Sequence, residues 1–204
     1  MIAKGRFVKG NRREAGKRLS AHFKYIEHRT RTEQETRQDR HIFSEDSDYV
    51  RRSEAVDDIM DHTSSSVNYH KIVLSPGHNE PVEDWREWTR EVMHDLEEYQ
   101  EKDLHWYAVF HNNTDNPHVH VVVAGAGEDL ETGKTEAVRL YPQDYQFIRE
   151  SGREHSDYEH YQLIRQTAQE LDMQDTVGRE TVVQSQELDL QRASFQGGLE
   201  GLER

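Results

Sequence analysis

The sequence predicts an α+β fold, with a central antiparallel or mixed sheet and helices packed mainly on one of its faces. Two observations favour this class. Short β-like runs alternate along the chain with helical patterns. The two most strand-like runs, 105–110 and 118–124, also lie too close together for a parallel crossover. They therefore predict an antiparallel pair at the centre of the sheet.

The N-terminal part predicts one strand followed by a helix. Residues 2–8 read as a short strand that Gly10 interrupts. Residues 14–29 carry apolar side chains at helical spacing, namely Leu19, Phe23 and Ile26. This spacing predicts a helix with one face in the core.

A long polar loop, 30–52, and a short helix follow. The loop has no clear periodicity, and Ser53 is a suitable cap for a helix over 54–62. A strand over 67–74 comes next. The strongest helical pattern covers 82–101, with Pro81 just before it and apolar residues in steps of three and four.

The C-terminal part predicts weaker elements. A polar loop begins at 124–127, a weak strand covers 136–141, and Tyr141-Pro142 leads into a helix that Gly152 interrupts. A further helix is expected at about 155–171. We therefore predict a domain over 1–171 and a polar tail or linker over 172–204, which is expected to be disordered.

Composition and charge narrow the class of protein. The 204 residues include no cysteine, which excludes disulfides and thiolate sites, and the mean hydropathy is −1.06. No apolar run is long enough to span a membrane and no signal peptide is evident, so we expect a cytoplasmic protein. The net charge is −14, yet residues 1–40 hold twelve Lys/Arg against five Asp/Glu. This asymmetry favours a basic surface that faces a polyanion, on an otherwise acidic body, or else a solvated charged helix.

Three histidines predict a metal centre. His118 and His120 are two apart, so both imidazoles face the same side of a strand, and the valines at 119, 121 and 123 take the core side. His111 ends the neighbouring strand, and a turn-forming segment lies between the two. Three imidazoles leave positions open for substrate oxygens, as a catalytic site requires. Plain surface histidines, or a structural zinc ion with Asp115 as fourth ligand, are the alternatives.

Two further side chains are candidates for catalysis. Asp115, in the turn, can serve as a general base or can orient a ligand histidine. Tyr25 lies on the first helix, with His22 three residues before it and His28 three residues after it. A phenol needs a nearby base or cation to act as a nucleophile, and most tyrosines at such positions are surface residues.

Three segments resemble motifs of relaxases, the DNA strand transferases of the HUH endonuclease superfamily. Residues 111–123 are similar to the histidine motif, residues 21–29 to the tyrosine motif, and residues 70–76 to the segment between them. The resemblance covers about 4–125 and is closest to mobilization relaxases with a single active tyrosine. It implies an HUH-like fold.

The resemblance also implies a reaction. A divalent metal, Mn²⁺ or Mg²⁺, would be held by His111, His118 and His120. Tyr25 would attack single-stranded DNA at a transfer origin and form a 5′-phosphotyrosyl intermediate, with Asp115 assisting. Accessory relaxosome and coupling proteins are the further partners that it implies. Because some relatives use a histidine in place of this tyrosine, His22 is a rival nucleophile.

Two other functions remain open from the sequence. One is a rolling-circle replication initiator or transposase of the same superfamily, although some of these carry two tyrosines one helical turn apart. The other is a non-catalytic DNA- or metal-binding module in which the histidines hold a structural ion.

Overall fold

A computed structural model describes residues 1–28, 40–77, 81–112 and 117–156. It contains five strands and four helices in these residues. In chain order they are β1 (Ile2–Val8), α1 (Arg12–His28), α2 (Arg52–Asp61), β2 (Tyr69–Ser75), α3 (Trp85–Gln100), β3 (Lys102–His111), β4 (His118–Asp129), β5 (Thr135–Ala137) and α4 (Pro142–Glu154).

The strands form one antiparallel sheet in the order β1-β2-β4-β3, and the short β5 pairs with the far end of β4. The sheet confirms the predicted α+β class and the antiparallel pairing of the two central runs. Since β4 lies between β2 and β3, the residues at its start are inside the sheet rather than at an edge.

Helices cover both faces of the sheet, so the prediction that they lie mainly on one face is wrong. The helices α3 and α4 pack on one face, against residues such as Ile72, Trp106 and Val121. The helices α1 and α2 pack on the other, against Val109 and Val122 among others. Because β4 carries apolar residues at both odd and even positions, it needs cover on both sides. The sequence prediction weighed only the odd-numbered valines.

Helix boundaries follow local chemistry. In α1, the buried residues are those predicted, together with Ala15. The N-cap of α2 is Arg51, not Ser53, which lies within the helix. Asp84 begins α3 because its side chain accepts hydrogen bonds from the backbone N–H groups of Arg86 and Glu87, both at 3.0 Å. The helix therefore starts three residues later than the pattern suggests.

Two predicted breaks at glycines, one in the segment 124–127 and one at Gly152, are wrong. Residues 124–127 continue β4 and do not begin a loop. A Cβ at Gly125 would overlap the backbone of Val67, which lies directly against the strand. Gly152 lies within α4 and does not interrupt it. Because Gly152 has no side chain, the helix can approach Trp88, whose indole N–H donates to the Gly152 carbonyl oxygen at 2.9 Å.

Part of the predicted loop 30–52 packs against the sheet. Ile42 and Phe43 are fully buried, and Phe43 exchanges two backbone hydrogen bonds with Ala108 of β3. The preceding residues 29–39 lie outside the described residues, as do the turn with Asp115, all but the first two residues of the predicted helix 155–171, the domain boundary at 171 and the tail 172–204. No helix among the described residues is both long and apolar enough to cross a membrane.

Candidate active site

Three histidines meet at one end of the sheet. His111, the last residue of β3, is the register partner of His118, the first residue of β4, and Val109 is the partner of His120. The ring centroids are 5.3 Å apart for His111 and His118, 4.8 Å for His111 and His120, and 5.0 Å for His118 and His120. One potential ligand atom from each ring lies within 4.8 Å of the other two. The three predicted metal ligands therefore converge as the sequence spacing suggested.

His111 is oriented by the end of helix α1. Its side chain is fully buried, and its Nε2 lies 2.7 Å from the carbonyl oxygen of Ile26. A carbonyl only accepts, so Nε2 carries the proton and Nδ1 keeps its lone pair. Metal-binding histidines commonly donate their second N–H in this way, which fixes the tautomer and the ring plane. The orienting group for this ligand is thus a backbone carbonyl of α1.

The donor set fits a divalent cation. Among the described residues, three imidazole nitrogens are available to an ion, and three protein ligands are typical of catalytic sites. No cysteine exists to close the sphere. Asp115 lies outside the described residues, so its predicted roles are not tested by the geometry.

The last two turns of α1 cross the histidine cluster. The ring of His22 lies 6.0 Å from that of His120, in an edge-to-face arrangement, while the carbonyl of Ile26 contacts His111. Tyr25 lies between these two contacts in the chain, and its residue surface is 57% exposed. The Tyr25 side chain is therefore accessible from solvent on the turn of α1 that carries these two contacts.

His22 is a neutral imidazole at physiological pH. Burial lowers its pKa to about 4, and the charges of Lys71 and Arg6 act in the same direction. A neutral ring beside the cluster can accept a hydrogen bond or pack against a nucleobase. The sequence singled out His22 as a neighbour of Tyr25 and as a rival nucleophile, but it gave no sign of the contact with His120.

A basic groove adjoins the cluster. It has a volume of about 320 Å³. Its lining consists of Lys4, Gly5, Arg6, His22, Lys71, Ile72, Val73 and His120. Arg6 of β1 is the register partner of Lys71 of β2, so two cations lie side by side on the sheet. Burial and Arg6 lower the pKa of Lys71. Among the described residues, no carboxylate forms an ion pair with Lys4, Arg6 or Lys71.

The basic surface differs from the predicted basic arm (residues 1–40) in which residues form it. On α1, Arg12 pairs with Asp61 at 2.9 Å and Arg18 with Glu14 at 3.1 Å, so part of the positive charge of that helix is already offset within the protein. Lys4 and Arg6 instead face the groove. Sequence reasoning missed Lys71 as a member of this surface, because only the β1–β2 register brings it beside Arg6.

Comparison with models of protein families gives a match. A family model described as "Relaxase: MobA/VirD2-like, nuclease domain" matches residues 25–175, well over half of the chain. The matched range begins at Tyr25 and includes all three histidines of the cluster. No curated protein and no solved structure gives a significant match.

Proposed function

The chain belongs to the family of MobA/VirD2-like relaxase nuclease domains, and on that premise we propose that Tyr25 is the nucleophile that nicks its DNA substrate. Enzymes of this family are metal-dependent nucleases that nick single-stranded DNA at an origin of transfer during mobilization. The observation that carries the proposal is the path of α1 across the histidine cluster, with Tyr25 between the residues that contact His120 and His111.

We assign the metal to His111, His118 and His120. A bound divalent cation would polarise an oxygen of the scissile phosphate and offset the negative charge that develops during attack. Of the two ions that the sequence suggested, we propose Mn²⁺ ahead of Mg²⁺, because Mg²⁺ favours all-oxygen surroundings.

The chemical step uses the chain's own groups. The Tyr25 hydroxyl oxygen attacks phosphorus, its proton passes to Asp115, and the bond from phosphorus to the 3′ oxygen breaks. The 3′ oxygen takes a proton from solvent, and a 5′-phosphotyrosyl bond to Tyr25 remains. The bond energy is conserved in this ester, so the strand can be rejoined by the reverse reaction. Since the Ile26 carbonyl already orients His111, we favour Asp115 as the proton acceptor.

The basic groove supplies the DNA contact. Its cation Lys71 lies on β2, the strand next to His120, and Lys4 and Arg6 lie on β1, one strand further. A row of cations of this kind can follow the phosphates of a single strand. We propose that the strand runs along this groove into the histidine cluster. Accessory relaxosome and coupling proteins are proposed partners at the origin.

A covalent-capture experiment tests the nucleophile. The full chain is incubated with Mn²⁺ and a random pool of single-stranded oligonucleotides, one sample labelled at the 3′ end and one at the 5′ end. We expect the 3′ label to migrate with the protein on a denaturing gel and the 5′ label to appear on shortened free DNA. Tyr25→Phe should lose the protein-bound label.

Tyr49→Phe is the matched control. Tyr49 is 61% exposed, similar to Tyr25, but it packs edge-to-face against His41 and lies outside the histidine cluster. We expect this variant to form the adduct at the wild-type level. An adduct that persists in Tyr25→Phe would assign the nucleophile to another residue, with His22 the first to test. Absence of any adduct in the wild-type protein would contradict a phosphotyrosyl mechanism.

A further inference from the structure

A second cluster of potential metal ligands lies on the same face of the sheet, away from the three histidines. It consists of Asp58 and His62 from the end of α2 and His105 from β3, and one ligand atom from each lies within 4.8 Å of the others. Their side chains are 28%, 27% and 27% exposed, so the cluster is reached from solvent but is partly enclosed. Nothing in the proposed nicking reaction uses these residues.

A local hydrogen bond sets the tautomer of His62. Its Nδ1 lies 2.9 Å from the Asp58 carbonyl oxygen, which only accepts, so Nδ1 carries the proton and Nε2 keeps the lone pair. The backbone of His62 is held as well, because its carbonyl accepts from the Ala126 N–H at 2.8 Å. The backbone of His62 is thus held by strand β4, and its ring is held by a carbonyl of helix α2.

His105 is held between two carboxylates. Its Nδ1 lies 3.2 Å from Asp58 Oδ2, and its Nε2 lies 3.2 Å from Glu128 Oε2. If Nε2–H donates to Glu128, then Nδ1 is a ligand atom, which gives the carboxylate–histidine–metal arrangement of many protein sites. The ring also stacks on His62, with centroids 3.4 Å apart and planes at 10°, so one of the two imidazoles must turn before both lone pairs can meet at one ion.

The spacing and charge suit a small divalent ion. Ligand atoms around a tetrahedral zinc ion, at bonds of about 2.0–2.1 Å, are about 3.3–3.4 Å apart, close to the observed contact of 3.2 Å between His105 and Asp58. The site lies at the carboxyl end of α2, and the last turn of that helix has no basic residue. The negative end of the helix dipole therefore adds to the attraction for a cation.

We propose that Asp58, His62 and His105 bind a second divalent cation, of the zinc class, with Glu128 and Tyr107 as supporting groups. Two imidazoles and one carboxylate are a typical donor set for Zn²⁺. The Tyr107 hydroxyl donates to Asp58 Oδ2 at 3.0 Å and so orients the carboxylate. The ion joins α2 to β3, and α2 in turn holds the end of α1 through the ion pair of Arg52 with Glu27 at 3.1 Å.

The alternative occupant is a proton. A protonated His105 between Asp58 and Glu128 would form an ion-pair network without a metal. The two states differ in metal content, which can be measured directly. We therefore test the site by stoichiometry rather than by activity.

The experiment counts Zn²⁺ equivalents bound to the full chain, using a chromophoric chelator as competitor. We expect two equivalents in the wild-type protein and one in the double variant His118→Ala/His120→Ala, which retains the second cluster. Adding His62→Ala to this double variant should remove the remaining equivalent. With Co²⁺ in place of Zn²⁺, visible absorption bands from imidazole coordination should persist in the double variant and disappear in the triple variant.

Further variants show whether a loss of bound Zn²⁺ comes from a lost ligand contact or from misfolding. Glu128→Gln in the double-variant background should weaken Zn²⁺ binding about 10–100-fold, as is typical when a group that orients a ligand is removed. Glu131→Gln, at a nearby exposed position, and His94→Ala, which removes an exposed histidine of α3, should have no effect. A double variant without bound Zn²⁺, or a triple variant that binds as much Zn²⁺ as the double variant, would overturn the proposal, whereas a wild-type protein with a single equivalent that the double variant retains would count only against metal binding by the three histidines.

Discussion

Val119, Val121 and Val123 of β4 point into the core beneath α3 and α4, whereas His118 and His120 of the same strand point to the face that α1 covers. We call these the packing face and the histidine face. The packing face holds tryptophans and aliphatic side chains. The histidine face combines a smaller apolar core with the three histidines and the groove cations. Stability and chemistry can therefore be changed separately by substituting adjacent residues of one strand.

The sharpest test of this comparison pairs His120→Ala with Val121→Ala. His120→Ala removes one of three ligands, so we expect loss of metal binding and a fall in nicking of at least about 100-fold, more than loss of an orienting group costs. Val121→Ala opens a cavity in the packing face and should lower the free energy of unfolding by about 2 kcal/mol while metal binding is retained. Chemical denaturation, metal titration and nicking assays measure the two effects. If the His120→Ala protein bound the metal with wild-type affinity, the assignment of metal binding to the histidine face would be wrong.

A smaller effect is expected from the basic groove. Replacing Lys4, Arg6 and Lys71 together by glutamine removes three cations that face the groove. The slope of log affinity against log salt for single-stranded DNA should become shallower by about two, since each phosphate contact contributes about 0.7. Fluorescence anisotropy at several salt concentrations gives the slope.

The control for the groove is Arg12→Gln/Arg18→Gln. These arginines are on α1 but already form ion pairs with Asp61 and Glu14. We expect a change of less than one in the slope. Equal slopes for the two sets of variants would mean that the groove does not bind the DNA backbone.

The packing face contains one titratable group with a testable effect on stability. Burial, with the charge of Glu45 adding to it, raises the pKa of Glu97 to about 8. The protonated form is therefore favoured in the folded state. Its contribution is fully present below the unfolded-state pKa near 4.5 and is lost as the pH rises through about 8.

Glu97→Gln mimics the protonated side chain. The variant should gain stability relative to wild type between pH 5 and pH 8, by more than about 1 kcal/mol. Urea denaturation at the two pH values measures the difference, and Glu98→Gln, with its side chain 71% exposed, should leave it unchanged. Parallel pH dependence in Glu97→Gln and wild type would show that Glu97 is ionised in the folded protein.

The sequence was informative where periodicity and chemistry act locally. The alternation of His118, Val119 and His120 predicted which side chains share a face, and the antiparallel pairing followed from a short connection. The spacing of Leu19, Phe23 and Ile26 correctly predicted the buried side of α1.

Tertiary contacts could not be predicted in this way. The hydrogen bond from His111 to the Ile26 carbonyl joins residues that are 85 positions apart, and the pairing of Arg6 with Lys71 depends on strand register. The cluster around His105 unites a helix end with a strand for the same reason. The role of Tyr25 rests on a resemblance together with the position of α1, and it stays a prediction.

The measurement that tests the central claim most directly is mass-spectrometric mapping of the captured DNA adduct after trypsin digestion. Trypsin cleaves after Lys24 and Arg29, so Tyr25 is the only tyrosine of its peptide, and His22 falls in the preceding one. We predict a nucleotide mass on the side chain of Tyr25, joined through its phenolic oxygen. A nucleotide attached to the peptide that contains His22, or to any other tyrosine, would contradict the account.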